Sequence, residues 1–170
     1  VFRNLIRQDI EAGRGIGLLD PHGDLADEVL ALVPGSRQKD VVLFDPSDED
    51  FPVGFNVLHA HSDRERDLLS SDLVAIFRRF STSWGDQMSA VLGNAIMAFL
   101  ESAEGGSLLD LRQFLLDAKR REVFLESVRD PLVVSFWKEE FSRLTGRPQM
   151  PIVTRLDAFL RPRSIRNVVC

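Results

Sequence analysis

Five consecutive residues, Asp20, Pro21, His22, Gly23 and Asp24, place two carboxylates and an imidazole directly behind the short apolar run at 15–19. Three chemistries suit that set. An Asp and a His at a strand end can ligate a metal for hydrolysis. An Asp at the carboxyl edge of a parallel sheet can hold Mg²⁺ beside the phosphates of a nucleotide. An Asp followed by Pro and Gly can also simply cap a strand-to-helix turn. A second apolar run, 41–44, ends the same way on Asp45 and Pro46. Metal ligation needs further donors, and the other histidines are His59 and His61, which face opposite ways in an extended chain. No metal site is therefore expected.

The elements that must position these residues read from periodicity. Phe2, Leu5, Ile6 and Ile10 share one face of an opening helix that begins at Val1 and ends at Gly13. Residues 15–20 and 41–45 suit strands buried on both faces, with a helix between them carrying Leu25, Val29, Leu32 and Val33 inward. Strand, helix and strand with short links predict a right-handed crossover and a parallel sheet. Beyond residue 58 the period is helical throughout. Ser62 and Glu65 form a capping box ahead of Leu69, Leu73, Ile76, Phe77 and Phe80. Met88, Leu92, Ala95, Ile96 and Phe99 repeat the spacing, and residues 107–128 give one broken or two short helices. Asp130 caps a helix with Pro131 in its first turn and Gly146 past its end, and Val153, Leu156 and Phe159 mark a last helix. The predicted fold is α/β: a partial parallel sheet over 1–58, a helical domain over 59–161 and a return segment over 162–170.

Composition narrows the class. The chain has 170 residues, 44% hydrophobic and 28% charged, as a globular core requires. No run approaches the ~20 apolar residues of a membrane span, and no signal-peptide pattern is present, so a cytoplasmic setting is expected. The single cysteine, Cys170, excludes an internal disulfide. The net charge of −5 argues against a protein that coats nucleic acid. Its distribution is uneven, however: residues 143–170 hold six arginines and one acid. Such a segment can meet phosphates or serve as a solvated helix face. The chain starts inside a helix without a cap and stops without a terminator, as a piece of a longer chain would.

The Asp-x-His spelling resembles the opening motif of calcineurin-like metallophosphoesterases, but the Asn-His pair and further histidines of that family are missing. A broader resemblance spans nearly the whole chain. Asp20-Pro21-x-Gly23-Asp24, then Asp45-Pro46, then Phe55-Asn56-Val57-Leu58 and the "SFWKEEF" run look like the HerA–FtsK class of DNA-pumping ATPases. Within that class the TraG/TraD-like coupling proteins of conjugative type IV secretion are the nearest in pattern. Two departures are His22, where Lys is common, and Val57, where Pro is frequent. No G-x-x-x-x-G-K-[ST] occurs in these 170 residues. The resemblance would put Walker A before Val1 and Walker B after Cys170.

The resemblance implies a partial P-loop-type sheet followed by an all-helical insertion. It implies ATP and Mg²⁺ in the parent protein, with none held tightly by the fragment. The partners implied are DNA, identical subunits in a hexameric ring, and secretion-system proteins, with the parent at the inner face of the membrane. Asp20 and Asp24 become catalytic candidates, and Asp20, His22, Gly23 and Asp45 cofactor-binding candidates. Arg161, Arg163 and Arg166 become candidates for a phosphate backbone or a neighbour's nucleotide. Trp84 and Trp137 offer rings for base stacking, although Trp137 shares a face with Val134, Phe141 and Leu144 and so suits a core. The competing expectation is a non-catalytic helical module that binds protein partners.

Overall fold

The computed structural model describes residues 2–170; Val1, where the predicted opening helix begins, lies outside the described residues. The chain divides into two compact units, one ending at Phe44 and the other running from Asp45 to Cys170.

The first unit contains helix α1 (Phe2–Glu11), helix α2 (Asp24–Leu30) and a 3-10 turn at Gly35–Asp40. Ile6 and Ile10 are buried, while Phe2 and Leu5, on the same predicted face, are exposed. The guanidinium of Arg37 donates to the carbonyl oxygen of Ile10 at 2.8 Å and that of Arg14 at 3.3 Å, tying the 3-10 turn to the end of α1 and the turn that follows it. Arg3 of α1 pairs with Glu28 of α2 at 3.5 Å.

The predicted parallel sheet is absent. Residues 15–20 and 41–45 are irregular, and no strand forms among the described residues. Leu19 is 93% and Val42 85% exposed. A run of apolar residues becomes a buried strand only where neighbours supply ladder partners and cover both faces. The first unit offers two short helices and no third strand, and an isolated pair of strands is marginal in water. Gly15 and Gly17 weaken the first run further. The crossover expectation therefore fails, and the fold is helical.

The second unit follows the helical period closely. It comprises α3 (Asp63–Arg79), α4 (Asp86–Glu101), α5 (Leu108–Leu116), α6 (Ala118–Phe124), α7 (Pro131–Ser135), α8 (Gln149–Leu160) and α9 (Arg163–Val169). Between Asp86 and Glu101 no residue is charged, so α4 can be enclosed on most of its circumference. Val91, Leu92, Ala95, Ile96, Ala98 and Phe99 are buried, and α3, α5, α7 and α8 pack around them. The five inward positions predicted for α4 are all in the core. On α3, Leu73 and Phe77 are buried, but Ile76 and, just past the helix, Phe80 face outward.

Caps explain where the helices start. Ser62 accepts from the Glu65 N–H at 3.3 Å, and Glu65 reaches back to the His61 N–H at 2.7 Å, one residue beyond the expected partner. Asp110 accepts from the Ser107 N–H at 2.9 Å, and Asp130 from the Leu132 N–H at 2.8 Å. The helix predicted to run on from Pro131 changes pitch. It becomes a π turn at Phe136–Glu140 and a 3-10 turn at Phe141–Arg143. The widened turn seats Trp137 in the core, with its indole donating to the Asn94 carbonyl oxygen of α4 at 3.2 Å.

Candidate functional site

Both carboxylate oxygens of Asp20 accept from backbone N–H groups. Its Oδ1 accepts from the His22 N–H at 3.1 Å, and its Oδ2 from Leu25 at 2.8 Å and Ala26 at 2.9 Å. Leu25 and Ala26 carry open N–H groups in the first turn of α2, so Asp20 caps that helix from four residues upstream. Gly23, at φ 89°, lets the chain double back between the two. The hydrogen bonds from Ala26 and then His22 hold the Asp20 carboxyl below its ordinary pKa. A carboxylate so held stays ionised and is a poor general base.

The remaining residues of the motif point elsewhere. Asp24 is the first residue of α2, an exposed acid at the positive end of the helix. His22 is exposed, and its ring has no hydrogen-bond partner among the described residues. Asp45 belongs to the second unit and closes its own turn. It accepts from the Ser47 hydroxyl at 2.7 Å and the Ser47 N–H at 2.8 Å, and both bonds lower its pKa, the hydroxyl first. Among the described residues no group of three or more His, Cys, Asp or Glu is placed to hold a metal ion. His59 and His61 do not face apart; their rings meet edge to face at 4.8 Å.

The basic segment divides by partner. Arg166 donates to the carbonyl oxygens of Leu160 and Arg161 at 2.8 and 2.7 Å, closing the end of α8. It is a helix cap. Arg161 and Arg163 are exposed; the Arg161 charge helps lower the Asp157 pKa, after the larger effect of Arg112, and Arg163 has no ion pair among the described residues. Arg155 lies over the Trp84 ring at 5.8 Å and hydrogen-bonds to Ser81, while Trp84 donates to Ser89 at 2.7 Å. Both tryptophans that offered base stacking are thus tied into the fold.

Three further side chains matter to the packing of the second unit. Asn56 donates to the Gly106 carbonyl oxygen at 3.0 Å and accepts from the Leu58 N–H at 2.9 Å, pinning the entry segment to a turn fifty residues on. Arg112 and Asp157 form a bidentate pair between α5 and α8. Arg121 lies over the Phe141 ring at 4.9 Å and the Trp137 ring at 5.4 Å, and donates to the Phe114 carbonyl oxygen at 2.9 Å. Burial lowers its pKa, opposed by Asp117. Each depends on contacts distant along the chain, which periodicity does not carry.

No helix among the described residues is long and apolar enough to cross a membrane. The chain matches no family model, no curated protein and no solved structure.

Proposed function

We propose that this chain serves as a non-catalytic helical binding module of a DNA-translocating ATPase of the HerA–FtsK class. The observation that carries the non-catalytic part is Asp20: its carboxylate already accepts three backbone N–H groups. Mg²⁺ at Asp20 would compete with the hydrogen bonds that hold the first turn of α2, and at Asp45 with those that Ser47 donates. The link to a motor is supported by the Asp-Pro-x-Gly-Asp and Asp-Pro spellings. In that setting ATP and Mg²⁺ are held by other parts of the motor. His22, exposed just ahead of α2, is left to face a phosphate, and Asp24, exposed at the start of α2, to face a neighbouring subunit. Arg161 and Arg163 are the cations left to meet DNA.

The test is anisotropy of a fluorescein-labelled 30-nucleotide single strand and its duplex, titrated with the chain at low and physiological salt, beside an ATPase assay. The expected result is salt-dependent binding of at least one DNA form that R161E/R163E weakens more than tenfold, with no ATP turnover. Metal-dependent hydrolysis abolished by Asp20→Asn would sink the non-catalytic assignment. DNA binding absent even at low salt would remove the motor reading. A second reading, a protein-interaction module indifferent to nucleotide and DNA, draws on the outer face of α3. There Leu68 and Ile76 lie exposed, with Phe80 just beyond the helix. It predicts that neither DNA form binds and that L68D/I76D leaves the fold intact while abolishing association with a protein partner.

A further inference from the structure

Arg155, on α8, is a half-buried cation whose partners are all neutral. Its Nη1 donates to the Pro151 carbonyl oxygen at 2.7 Å. Its Nη2 donates to the Ser81 hydroxyl and to the Ser83 carbonyl oxygen, the latter at 3.3 Å. The guanidinium lies over the Trp84 ring, and no carboxylate pairs with it among the described residues. Its Nε is buried and has no acceptor. By contrast Arg66 and Arg112, also half-buried, each reach a carboxylate, Glu101 and Asp157. A guanidinium taken out of water without an anion, and with one donor unused, is a costly arrangement.

The unused donor has a direction. Nε and Nη2 form one edge of a guanidinium, the edge with which Arg112 grips both oxygens of Asp157. In Arg155 the same edge meets Ser81: Nη2 donates to the hydroxyl and Nε to nothing. Ser81 lies in the link between α3 and α4, directly after Arg78, Arg79 and Phe80. Arg78 and Arg79 are exposed and have no ion pair among the described residues, and they offset the negative end of α3. Asp86, at the start of α4, is the nearest acid along the chain. Thr82, Ser83 and Gly85 are exposed, and the bonds between Ser81 and Ser83 close a turn within the link itself. Lifting Ser81 away from Arg155 therefore unwinds no helix.

We propose that Ser81 is a phosphorylation site and that Arg155 receives the phosphate. In a basophilic protein kinase the Ser81 hydroxyl oxygen attacks the γ-phosphorus of ATP. The Oγ–P bond forms, the bond to the β,γ-bridging oxygen breaks, ADP leaves, and the hydroxyl proton passes to the base of the kinase. Arg79 and Arg78, two and three residues before the serine, are the charge pattern such a kinase selects. The product carries about two negative charges and three acceptor oxygens, enough to engage Nη2 and the empty Nε together. The hydroxyl gives up its bond to the Ser83 carbonyl oxygen; in exchange Arg155 gains an anion and the α3–α4 link is fastened to α8. The site acts whether or not the chain belongs to a motor.

The test treats the folded full chain with Mg²⁺, ATP and the catalytic subunit of cyclic-AMP-dependent protein kinase, which reads arginines at those two positions. Peptide mapping should find one phosphate, on Ser81, absent from Ser81→Ala and added more than tenfold more slowly to R78M/R79M. By phosphorus NMR the phosphoserine of the folded chain should titrate about one pH unit below that of a peptide spanning 76–86, whose second pKa is about 6. Arg155→Met should return it to the peptide value, while R78M/R79M should keep most of the shift. Arg155→Lys keeps a cation but loses the Nε–Nη2 edge; it should keep only part of the shift, and it carries the comparison if circular dichroism shows that Arg155→Met does not fold. A folded chain that stays unmodified overturns the proposal. So does phosphate confined to Thr82 or Ser83, or a titration that neither Arg155 variant moves. Inorganic phosphate that binds the unmodified chain and is lost in Arg155→Met would overturn it too, by assigning the edge to a free anion.

Discussion

The two units contain similar apolar runs and treat them differently. In the second, the apolar stripes of α4, α5 and α8 are enclosed: Leu92, Ile96, Leu111, Ile152 and Leu156 are fully buried. In the first, Ile6 and Ile10 are buried while Leu19, Val42, Leu43 and Phe44 face outward. The difference lies in what each pattern requires of its surroundings. A helix satisfies its own backbone, so an amphipathic helix needs a partner for one stripe. A strand buried on both faces needs ladder partners along its edges and cover above and below. The second unit supplies seven helices to one another; the first supplies two short ones.

Truncation is the sharpest way to break that comparison. Phe99→Ala removes a ring that stacks on Phe124 and meets Phe114 edge-on, and should cost about 3–5 kcal/mol. Leu19→Ser and Val42→Ser, at exposed positions, should stay within about 0.5 kcal/mol of the parent. Both tryptophans lie beyond Phe44, so urea unfolding followed by tryptophan fluorescence reports on the second unit. Circular dichroism adds the helices of the first. A large loss from Val42→Ser in either signal would mean that this run is covered after all.

This contrast also marks how much was legible in the residues. The helices of the second unit, the inward faces of α4 and α8, and the caps at Ser62 and Asp130 follow from local rules, because each depends on neighbours within a few residues. The sheet was misread because continuous apolar runs suit a buried strand and an uncovered loop equally well until their neighbours are known. Asp20 was legible as chemistry and as a cap. The three N–H donors are what distinguish the two, and their geometry depends on Gly23 adopting positive φ. The Gly105–Gly106 turn was illegible, since its place rests on Phe99 and Asn56, which other elements bring to it.

Arg121 sharpens the comparison inside the well-packed unit. Arg121→Met keeps most of the apolar stem but loses the hydrogen bond to Phe114 and the charge over three aromatic rings. The expected cost is about 1–3 kcal/mol, measured in the same urea experiment. The bidentate Arg112–Asp157 pair should matter less, because the Asp157 side chain is 43% exposed and water screens it. Asp157→Asn is expected to cost less than about 1 kcal/mol, and that loss should shrink further in 1 M salt. A larger, salt-independent loss would show that the pair works through packing and not charge.

The smallest expected effect on global unfolding is also the most local. Asp20→Ala should leave the tryptophan-detected transition in place, because Asp20 and both ends of its hydrogen bonds lie in the first unit. What should change is hydrogen exchange: the amides of Leu25 and Ala26 lose their acceptor and exchange faster, as does His22 more weakly. In the parent chain the same amides should respond to pH. The folded Asp20 carboxyl titrates below the unfolded value near 4, so the cap is at full strength above that value and weakens as pH falls through the depressed native one. Beyond the intrinsic slowing of exchange in acid, protection of Leu25 and Ala26 should therefore fall below about pH 4 in the parent and stay flat in Asp20→Ala. Equal protection in both proteins at neutral pH would free the Asp20 carboxylate from its structural role, and the catalytic assignment would regain its strongest residue.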